Sequence, residues 1–367
     1  MDEHLHTTNA PEAADLTPEE QELMEDADAL FEHHVIQASS KQRPLRIDKF
    51  LANQLPNTSR SRIKNASQLG SITVNGQPVK LSYKLKPDDE IRLLLPYPPP
   101  PSAAPEPMDL DIRYEDDDLI MLHKSAGVVV HPGVGHRSGT LIHGLLWHVG
   151  HLPDQPEANE RLPRPGLVHR LDKDTTGLMV IAKHEYAMAH LSKQFFDRTT
   201  GRTYQAIVWG DVAQDEGTIV AHVGRSRRDR KVYYAYPDGS EGKHAVTHYR
   251  VLERFGLVTL VECRLETGRT HQIRVHMKYL GYPLFADRDY GGDQMPKGQH
   301  PKKLQQMLRN CMDLLPRQAL HAKTLAITHP KTGERLRFDS DLPADMQAML
   351  AKLRTWRDHA YPPGTNE

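Results

Sequence analysis

The feature that most constrains how this chain can fold is a proline-rich segment about a quarter of the way along its 367 residues. Four consecutive prolines, Pro98 to Pro101, are followed by Pro105 and Pro107. Such a run favours an extended conformation and acts as a semi-rigid spacer. Because the chain is also long for a single core, we predict two folded units joined by a linker at residues 97–108.

Charge is distributed unevenly on the two sides of this linker. Residues 1–40 hold eleven acidic residues and no Lys or Arg, whereas residues 41–96 hold eleven basic and four acidic residues. A compact basic module beside a larger body is typical of a protein that binds a polyanion. A solvated basic face would give the same count, so charge alone leaves both interpretations open. Residues 1–40 are predicted to be an acidic tail, partly helical or disordered, with a helix that starts at Thr17-Pro18 and reaches Phe31.

Composition argues against several other classes of protein. The mean hydropathy is -0.62 and no run of about eighteen apolar residues occurs, so we expect no membrane-spanning segment. The N-terminus does not resemble a secretory signal, and two cysteines are too few for a disulfide framework or a thiolate zinc site. These features predict a cytoplasmic protein. Five of the 22 histidines suggest a metal site, but their spacing matches no known ligand pattern and we predict none: His131, His136, His143, His148 and His151.

In the basic module, residues 41–96, local patterns predict a definite order of secondary-structure elements. Apolar residues recur at helical spacing from Ile47, and Ser59 can cap a second, basic helix. Asn75-Gly76 is a strong hairpin signal, and a strand follows from Glu90 to Leu95. Two short helices followed by a small sheet resemble the S-four-like RNA-binding domain. The resemblance implies RNA contacts by the cations of the second helix, Arg60, Arg62 and Lys64.

The body, residues 109–358, reads as short apolar strands and intervening helices, followed by a short tail at residues 359–367. The clearest predicted strands are Leu119 to Leu122, Gly127 to Val130, Leu178 to Ala182, Tyr204 to Trp209 and Leu257 to Leu265. Helices are predicted from Gly139 to Trp147 and from His184 to Phe196. Because strands and helices do not alternate regularly, we predict an α+β fold around a mixed, largely antiparallel sheet.

The most informative stretch runs from Gly166 to Lys183. Two apolar segments flank a polar turn, which places Asp172 at the rim of a sheet with cations nearby. An isolated aspartate there would usually be a turn residue. The string His169-Arg170-Leu171-Asp172, however, closely resembles the motif of the RluA-type pseudouridine synthases. The resemblance implies that Asp172 is the essential catalytic carboxylate, and Thr176 stands where serine is more usual.

Further segments resemble the same family, in the family's order, over about residues 109–355. They are residues 111–132, 201–206, 266–276 and 318–322. The first has Ser125 where proline is more usual. The others imply that Tyr204 stacks on the target base, that Arg274 pairs with the aspartate, and that Leu320 forms an apolar wall of the pocket.

The residues around Arg274 support this assignment independently. Thr270 can cap a helix that ends near Gly281, which would place His271, Arg274 and Lys278 on one face. Arg274 is predicted to point inward, because a neighbouring guanidinium keeps a carboxylate ionised in a water-poor pocket. Lys278 is predicted to contact phosphate. Tyr204 could equally be an ordinary core aromatic, so its functional role depends on the motif.

The resemblance therefore implies a cofactor-free isomerase that converts uridine to pseudouridine in structured RNA. Its expected catalytic residues are Asp172, Tyr204 and Arg274. Its expected substrate-binding residues, besides those of the basic module, are His169, Arg170, Leu320, Arg269 and Lys278. The expected partner is large-subunit ribosomal RNA of the 23S type, with transfer RNA as an alternative, and a monomer without a metal or small-molecule cofactor is expected.

A rival hypothesis is a non-catalytic RNA-binding or ribosome-assembly protein with the same fold. It explains the basic module equally well. It does not explain why Asp172, Tyr204 and Arg274 are all kept within their motifs.

Overall fold

The computed structural model describes residues 31–54, 63, 67, 72–95, 104–133, 136–153, 165–229 and 232–360. They belong to two compact units. Of the described residues, those up to residue 95 and residues 132, 133 and 136–138 belong to the smaller unit, and the others belong to the larger one.

The N-terminal unit is built on a four-stranded antiparallel sheet with strand order β1-β4-β2-β3. Its elements are β1 (Phe31–Gln37), α1 (Ile47–Gln54), β2 (Ile72–Val74), β3 (Gln77–Pro78) and β4 (Glu90–Leu95). The predicted hairpin is confirmed: Asn75 and Gly76 both have positive φ, as a tight two-residue turn requires. The buried apolar face of α1 packs onto the sheet, so this unit has a core of its own.

Two predictions for the N-terminal region need comment. Strand β1 lies inside the segment predicted to be an acidic tail, and it pairs with β4 along its whole length. The module therefore begins near residue 31 rather than 41, because β4 takes a strand partner that charge counts could not indicate. Ile63, within the predicted second helix, is helical and buried. Arg60, Arg62 and Lys64 lie outside the described residues, as does the predicted helix up to Leu30.

The larger unit contains a ten-stranded sheet whose strands follow the order β10-β9-β11-β12-β8-β13-β7-β6-β5, with β14 paired to β13. Its strands are β5 (Asp111–Glu115), β6 (Leu119–Lys124), β7 (Thr176–Ala182), β8 (Gly201–Trp209), β9 (Glu216–Arg225), β10 (Tyr233–Tyr236), β11 (Lys243–Arg254), β12 (Val258–Leu265), β13 (Leu320–Thr328) and β14 (Arg335–Asp339). Among the described strands of this sheet, only β7 and β13 pair in parallel. The predicted α+β class with a mixed, largely antiparallel sheet is therefore confirmed.

Helices pack against this sheet and contribute to its hydrophobic cores. They are α2 (Leu141–Val149), α3 (Glu185–Phe196), α4 (Gln272–Tyr279), α5 (Lys302–Leu314) and α6 (Ala344–Ala360). Helix α3 buries its apolar side against β6 and β7, and α5 and α6 pack around Trp209 and Phe285. Across the described ranges, no helix has both the length and the apolar composition that crossing a bilayer requires.

One predicted strand is wrong. Residues 127–130 lie outside the strands: the chain turns at Ala126 and Gly127, where Gly127 adopts a left-handed backbone with φ of 80°. The carbonyls of Val129 and Val130 then accept the first backbone amides of helix α2 instead of pairing with a strand. Apolar character alone could not distinguish these two uses of the same residues.

The parallel contact between β7 and β13 depends on a glycine. Gly177 pairs with Ala322 and has φ of 118°, and a Cβ atom built on it would lie 2.6 Å from the backbone nitrogen of Ala322. Side chains are strained at that φ and excluded at that distance. The next residue toward the N-terminus, Thr176, pairs with His321 and hydrogen-bonds its ring at 2.8 Å. This contact therefore brings the start of β13 next to the turn that contains Asp172.

We predict that Gly177→Ala destabilises the larger unit much more than Gly281→Ala. Both glycines have positive φ, but nothing lies within 4 Å of a Cβ on Gly281. Gly281→Ala should cost about 1–2 kcal/mol of unfolding free energy, and Gly177→Ala should cost more because two backbones must separate. Chemical denaturation of the two variants measures the difference. Equal losses would show that β7 and β13 do not approach closely here.

Candidate active site

Asp172 lies in a tight turn just before β7. Its carbonyl accepts a hydrogen bond from the backbone amide of Thr175 at 3.1 Å, and its side chain is 19% exposed. The carboxylate is thus open to solvent on one side while its backbone is fixed. A catalytic carboxylate needs both properties.

Two buried cations hold this turn by its backbone carbonyls. The Lys124 ammonium donates to the carbonyl of Lys173 at 2.7 Å, and the Arg317 guanidinium donates to the carbonyl of Asp174 at 2.9 Å. Arg317 is itself anchored by two hydrogen bonds to Asp345. Burial lowers the pKa of Lys124 to about 7, although Asp174 and Asp172 act in the opposite direction. The position of Asp172 is therefore set by contacts to its neighbours' backbone.

Arg274 projects from α4 and lies next to Asp172. Only 4% of its side chain is exposed, and its Nη1 lies 3.3 Å from Asp172 Oδ2. Asp287, which is fully buried, accepts two hydrogen bonds of 2.7 Å from the same guanidinium, and Asp289 accepts one of 2.6 Å. Burial by itself lowers the pKa of Arg274, but the hydrogen bonds and charge of Asp287, with the charges of Asp172 and Asp289, raise it above its ordinary value.

The start of α4 differs from the sequence prediction. Thr270 does not cap the helix; the capping position is His271, in a left-handed conformation with φ of 55° and no side-chain bond to the helix end. The Gln272 side chain instead accepts the backbone amide of Arg269 at 3.0 Å. His271 therefore leaves the expected helical face, and its Nε2 lies 3.9 Å from Asp172 Oδ2.

Tyr204 lies in the middle of β8, paired with Cys263 on β12 and Ala322 on β13. It is 9% exposed. Burial raises the pKa of Tyr204, Arg202 lowers it, and the charge of Asp172 raises it further. Ala322 also pairs with Gly177 at the start of β7, so Tyr204 lies two strands from the turn that contains Asp172. Leu320 is buried two positions before Ala322 on β13.

The other predicted site residues have more varied surroundings. Arg170 is exposed, two residues before Asp172. His169 faces inward: its Nε2 accepts the backbone amide of Val180 at 3.0 Å, and its ring stacks on Phe195. Burial lowers the pKa of His169 to about 3, so the ring is neutral.

Two of the predicted substrate-binding cations lie on or beside α4. Arg269 is half-buried and donates to the carbonyl of His244 at 3.1 Å. Lys278 is exposed, with its ammonium over the ring of Tyr290.

Sequence reasoning missed the segment Asp287-Arg288-Asp289-Tyr290. Its two carboxylates bind Arg274, and the guanidinium lies 4.8 Å from the centre of the Tyr290 ring. Sequence reasoning also assigned no role to the buried ammonium of Lys124. An Asp-x-Asp pair followed by Tyr-Gly was a weak signal, because nothing in its spacing indicates which cation it binds.

A second group of potential ligands lies elsewhere in the larger unit and includes none of the five histidines considered above. Among the described residues, Asp116, Asp118 and His329 bring ligand atoms within 4.8 Å of one another. His329 Nδ1, however, accepts the backbone amides of Lys331 and Thr332, so the ring proton is on Nε2, which donates to Asp116 at 2.8 Å. Both ring nitrogens are thus used within the fold. We interpret the group as a link between the β5–β6 turn and the β13–β14 hairpin.

The chain is similar to several known proteins. Residues 118–279 match the family model described as RNA pseudouridylate synthase, and residues 45–91 match the S4 domain. An uncharacterized RNA pseudouridine synthase of Chlorobaculum parvum is 45% identical over 87% of this chain and 97% of its own length. Ribosomal large subunit pseudouridine synthase D of Pseudomonas aeruginosa is 43% identical over 85% of this chain and 93% of its own.

A solved structure shares the fold. Human RNA Pseudouridylate Synthase Domain Containing 4 superposes with a TM-score of 0.50 at 23% identity, over 66% of this chain and 92% of that one.

We predict that Asp287→Ala lowers the unfolding free energy of the larger unit by about 3–5 kcal/mol, because it leaves the buried charge of Arg274 without its main partner. Asp289→Ala is the matched control. Its side chain is 52% exposed, so its loss should cost less than about 1 kcal/mol. Denaturant titration compares the two variants, and equal costs would contradict the assignment of Asp287 as the anchor of Arg274.

Proposed function

Because the chain belongs to the RNA pseudouridylate synthase family, we propose that it converts specific uridines of structured RNA to pseudouridine, with Asp172 as its catalytic carboxylate. The observation that supports this most strongly is the contact of 3.3 Å between Asp172 and Arg274, which lie 102 residues apart in sequence. Each belongs to a motif that the sequence singled out independently. A partly open carboxylate beside a buried guanidinium is the arrangement that the proposed chemistry needs.

The reaction breaks the bond between the anomeric carbon of the sugar and nitrogen 1 of uracil, rotates the base, and rejoins it through carbon 5. Atoms and oxidation state are conserved, so the proposed reaction calls for no cofactor. Breaking a glycosidic bond develops positive charge on the sugar. An ionised Asp172 could stabilise that charge, capture the sugar covalently, or remove a sugar proton, and these three routes remain open.

Arg274 has a definite task in this scheme. A guanidinium beside a carboxylate favours the ionised form of the acid, and Arg274 stays charged because Asp287 and Asp289 compensate for its burial. The same two carboxylates fix its orientation. We infer that Arg274 balances the charge of Asp172 and orients its carboxylate.

A uridine inside a helical stack cannot reach Asp172, so the enzyme has to extrude the nucleotide at a cost of a few kcal/mol. Tyr204 supplies an aromatic surface for the extruded base, and Leu320 supplies an apolar wall. Arg170 is exposed near Asp172 and is suited to take the place of the base in the stack. These roles are parts of the proposal.

The proposed RNA is large-subunit ribosomal RNA. The relatives from Pseudomonas aeruginosa and Neisseria meningitidis are named for that subunit, and the match to the S4 domain supports a separate RNA-binding module. Transfer RNA remains the alternative. We further propose that one chain suffices for activity, since the described site residues come from one unit, and that the protein works in the compartment that holds ribosomal RNA.

We predict that Asp172→Asn abolishes pseudouridine formation on unmodified large-subunit ribosomal RNA, lowering the rate by more than about 1,000-fold. The variant keeps the size of the side chain but removes its charge. Asp174→Asn is the control in the same turn, because the backbone carbonyl of Asp174 accepts from Arg317 whereas its carboxylate makes no hydrogen bond to any described residue. Its rate should stay near the wild-type value. If wild type and Asp172→Asn both leave uridine unchanged on every RNA tested, the protein is a binder and not an enzyme.

A second prediction concerns the basic module. If Arg60, Arg62 and Lys64 contact phosphates, replacing all three by alanine should reduce the slope of log affinity against log salt by about 2 to 3. The matched control replaces three exposed lysines of α5 and α6, Lys302, Lys303 and Lys352, with the same change in net charge. Binding titrations at several salt concentrations give both slopes. An unchanged slope in the first variant would assign the module another role.

A further inference from the structure

His271 has surroundings that the proposed chemistry does not yet use. It is not glycine, asparagine or aspartate, yet its backbone is left-handed, with φ of 55° and ψ of 20°, and its side chain makes no capping bond to α4. Such strained positions persist only where surrounding contacts determine them, and they cluster at functional sites. Contacts to the ring of His271 must therefore hold it in this conformation.

The contacts of Tyr290 bear on which ring nitrogen of His271 carries the proton. The Tyr290 hydroxyl oxygen accepts the backbone amide of Tyr233 at 3.0 Å, and it lies 2.8 Å from His271 Nδ1. We assign the phenol as the donor to Nδ1, because the opposite direction would turn an unprotonated Nε2 toward the Asp172 carboxylate. An imidazole whose Nδ1 accepts carries its proton on Nε2 when neutral.

The charges around the ring agree with this neutral tautomer. Burial lowers the pKa of His271, and Arg274 also lowers it, whereas Asp172, Asp289 and Asp287 raise it without reversing the shift. Tyr233 and Tyr290 contact the ring at its edges and faces. Near neutral pH the ring is therefore an uncharged donor whose N–H is on Nε2.

That nitrogen faces the catalytic carboxylate. His271 Nε2 lies 3.9 Å from Asp172 Oδ2, the same oxygen that Arg274 Nη1 approaches at 3.3 Å. Within the described part of the chain, no donor contacts Oδ1 of Asp172. Both distances are longer than strong hydrogen bonds, and catalytic contacts commonly shorten when substrate binds.

Building on the proposed function, we propose that His271 is a positioning residue which, with Arg274, holds Oδ2 of Asp172 and so leaves Oδ1 as the oxygen that meets the sugar. The relay runs from the Tyr233 amide through the Tyr290 hydroxyl and the His271 ring to the carboxylate. Two donors on one oxygen fix the rotation of the carboxylate, which a single salt bridge does not. All three chemical routes need one oxygen aimed at the sugar, at its anomeric carbon for charge stabilisation or covalent capture and at a C–H hydrogen for proton removal, so the inference holds for each of them.

The test is single-turnover kinetics of the full chain on unmodified 23S-type ribosomal RNA. His271→Asn is the main variant, because asparagine tolerates a left-handed backbone and leaves the strain of the turn nearly unchanged. We expect the rate of pseudouridine formation to fall by about 10- to 100-fold, while the RNA dissociation constant changes less than about twofold. A wild-type rate in this variant would overturn the proposal.

Tyr290→Phe supplies the second arm. It keeps the ring beneath Arg274 and removes only the hydroxyl that orients His271. If the relay acts through His271, Tyr290→Phe as a single variant lowers the single-turnover rate. The same substitution causes no further loss of rate in a protein that already carries His271→Asn. Losses that multiply in the double variant would contradict the relay.

A control on α4 separates positioning from damage to the helix. His276 is buried on α4 and bonded to Thr247 and Ala221, away from the carboxylates. His276→Asn should lower the unfolding temperature but leave the single-turnover rate of the folded protein unchanged, and an equal loss of rate would overturn the proposal. If wild type itself forms no pseudouridine on any RNA, the proposed function fails. An active wild type with an equally active His271→Asn refutes this inference alone.

Discussion

The site depends on one buried guanidinium and the three carboxylates that share it. Arg274 is 4% exposed, and a charge so placed is costly unless it is paired and hydrogen-bonded. Asp287 provides two hydrogen bonds from full burial, and Asp289 adds one from the surface. This pairing leaves Nη1 to face Asp172. The order matters: the fully buried carboxylate anchors the arginine, and the anchored arginine then acts on the partly open carboxylate.

The fold serves this arrangement by bringing distant segments to one place. The turn before β7 supplies Asp172, the start of α4 supplies His271 and Arg274, and β8 supplies Tyr204. Lys124 and Arg317 hold the turn through backbone carbonyls, and the close approach of Gly177 to Ala322 brings β13 beside it. Rigid elements thus fix each polar group before any ligand binds, which is the condition for electrostatic catalysis.

Sequence reasoning succeeded where local patterns decide the structure and failed where tertiary contacts do. Apolar runs and turn residues gave the α+β class, the Asn75-Gly76 hairpin and most strands, and the motifs indicated Asp172 and Arg274 as neighbours. Strand β1 was missed because residues 1–40 were assigned to a tail from their acidic composition, which does not indicate pairing with β4. The start of α4 was misplaced because Tyr290, nineteen residues away, holds His271. Asp287 could not be found, since only the fold shows which cation it binds.

The most direct test of this account is a structure of the Asp172→Asn protein bound to its target RNA. The account predicts that one uridine is extruded from the stack, with its base against Tyr204. Its anomeric carbon should lie within about 3.5 Å of residue 172 at the oxygen or nitrogen that Arg274 does not contact. A target uridine still paired within its helix, or a sugar bound away from the Asp172 turn, would contradict the account.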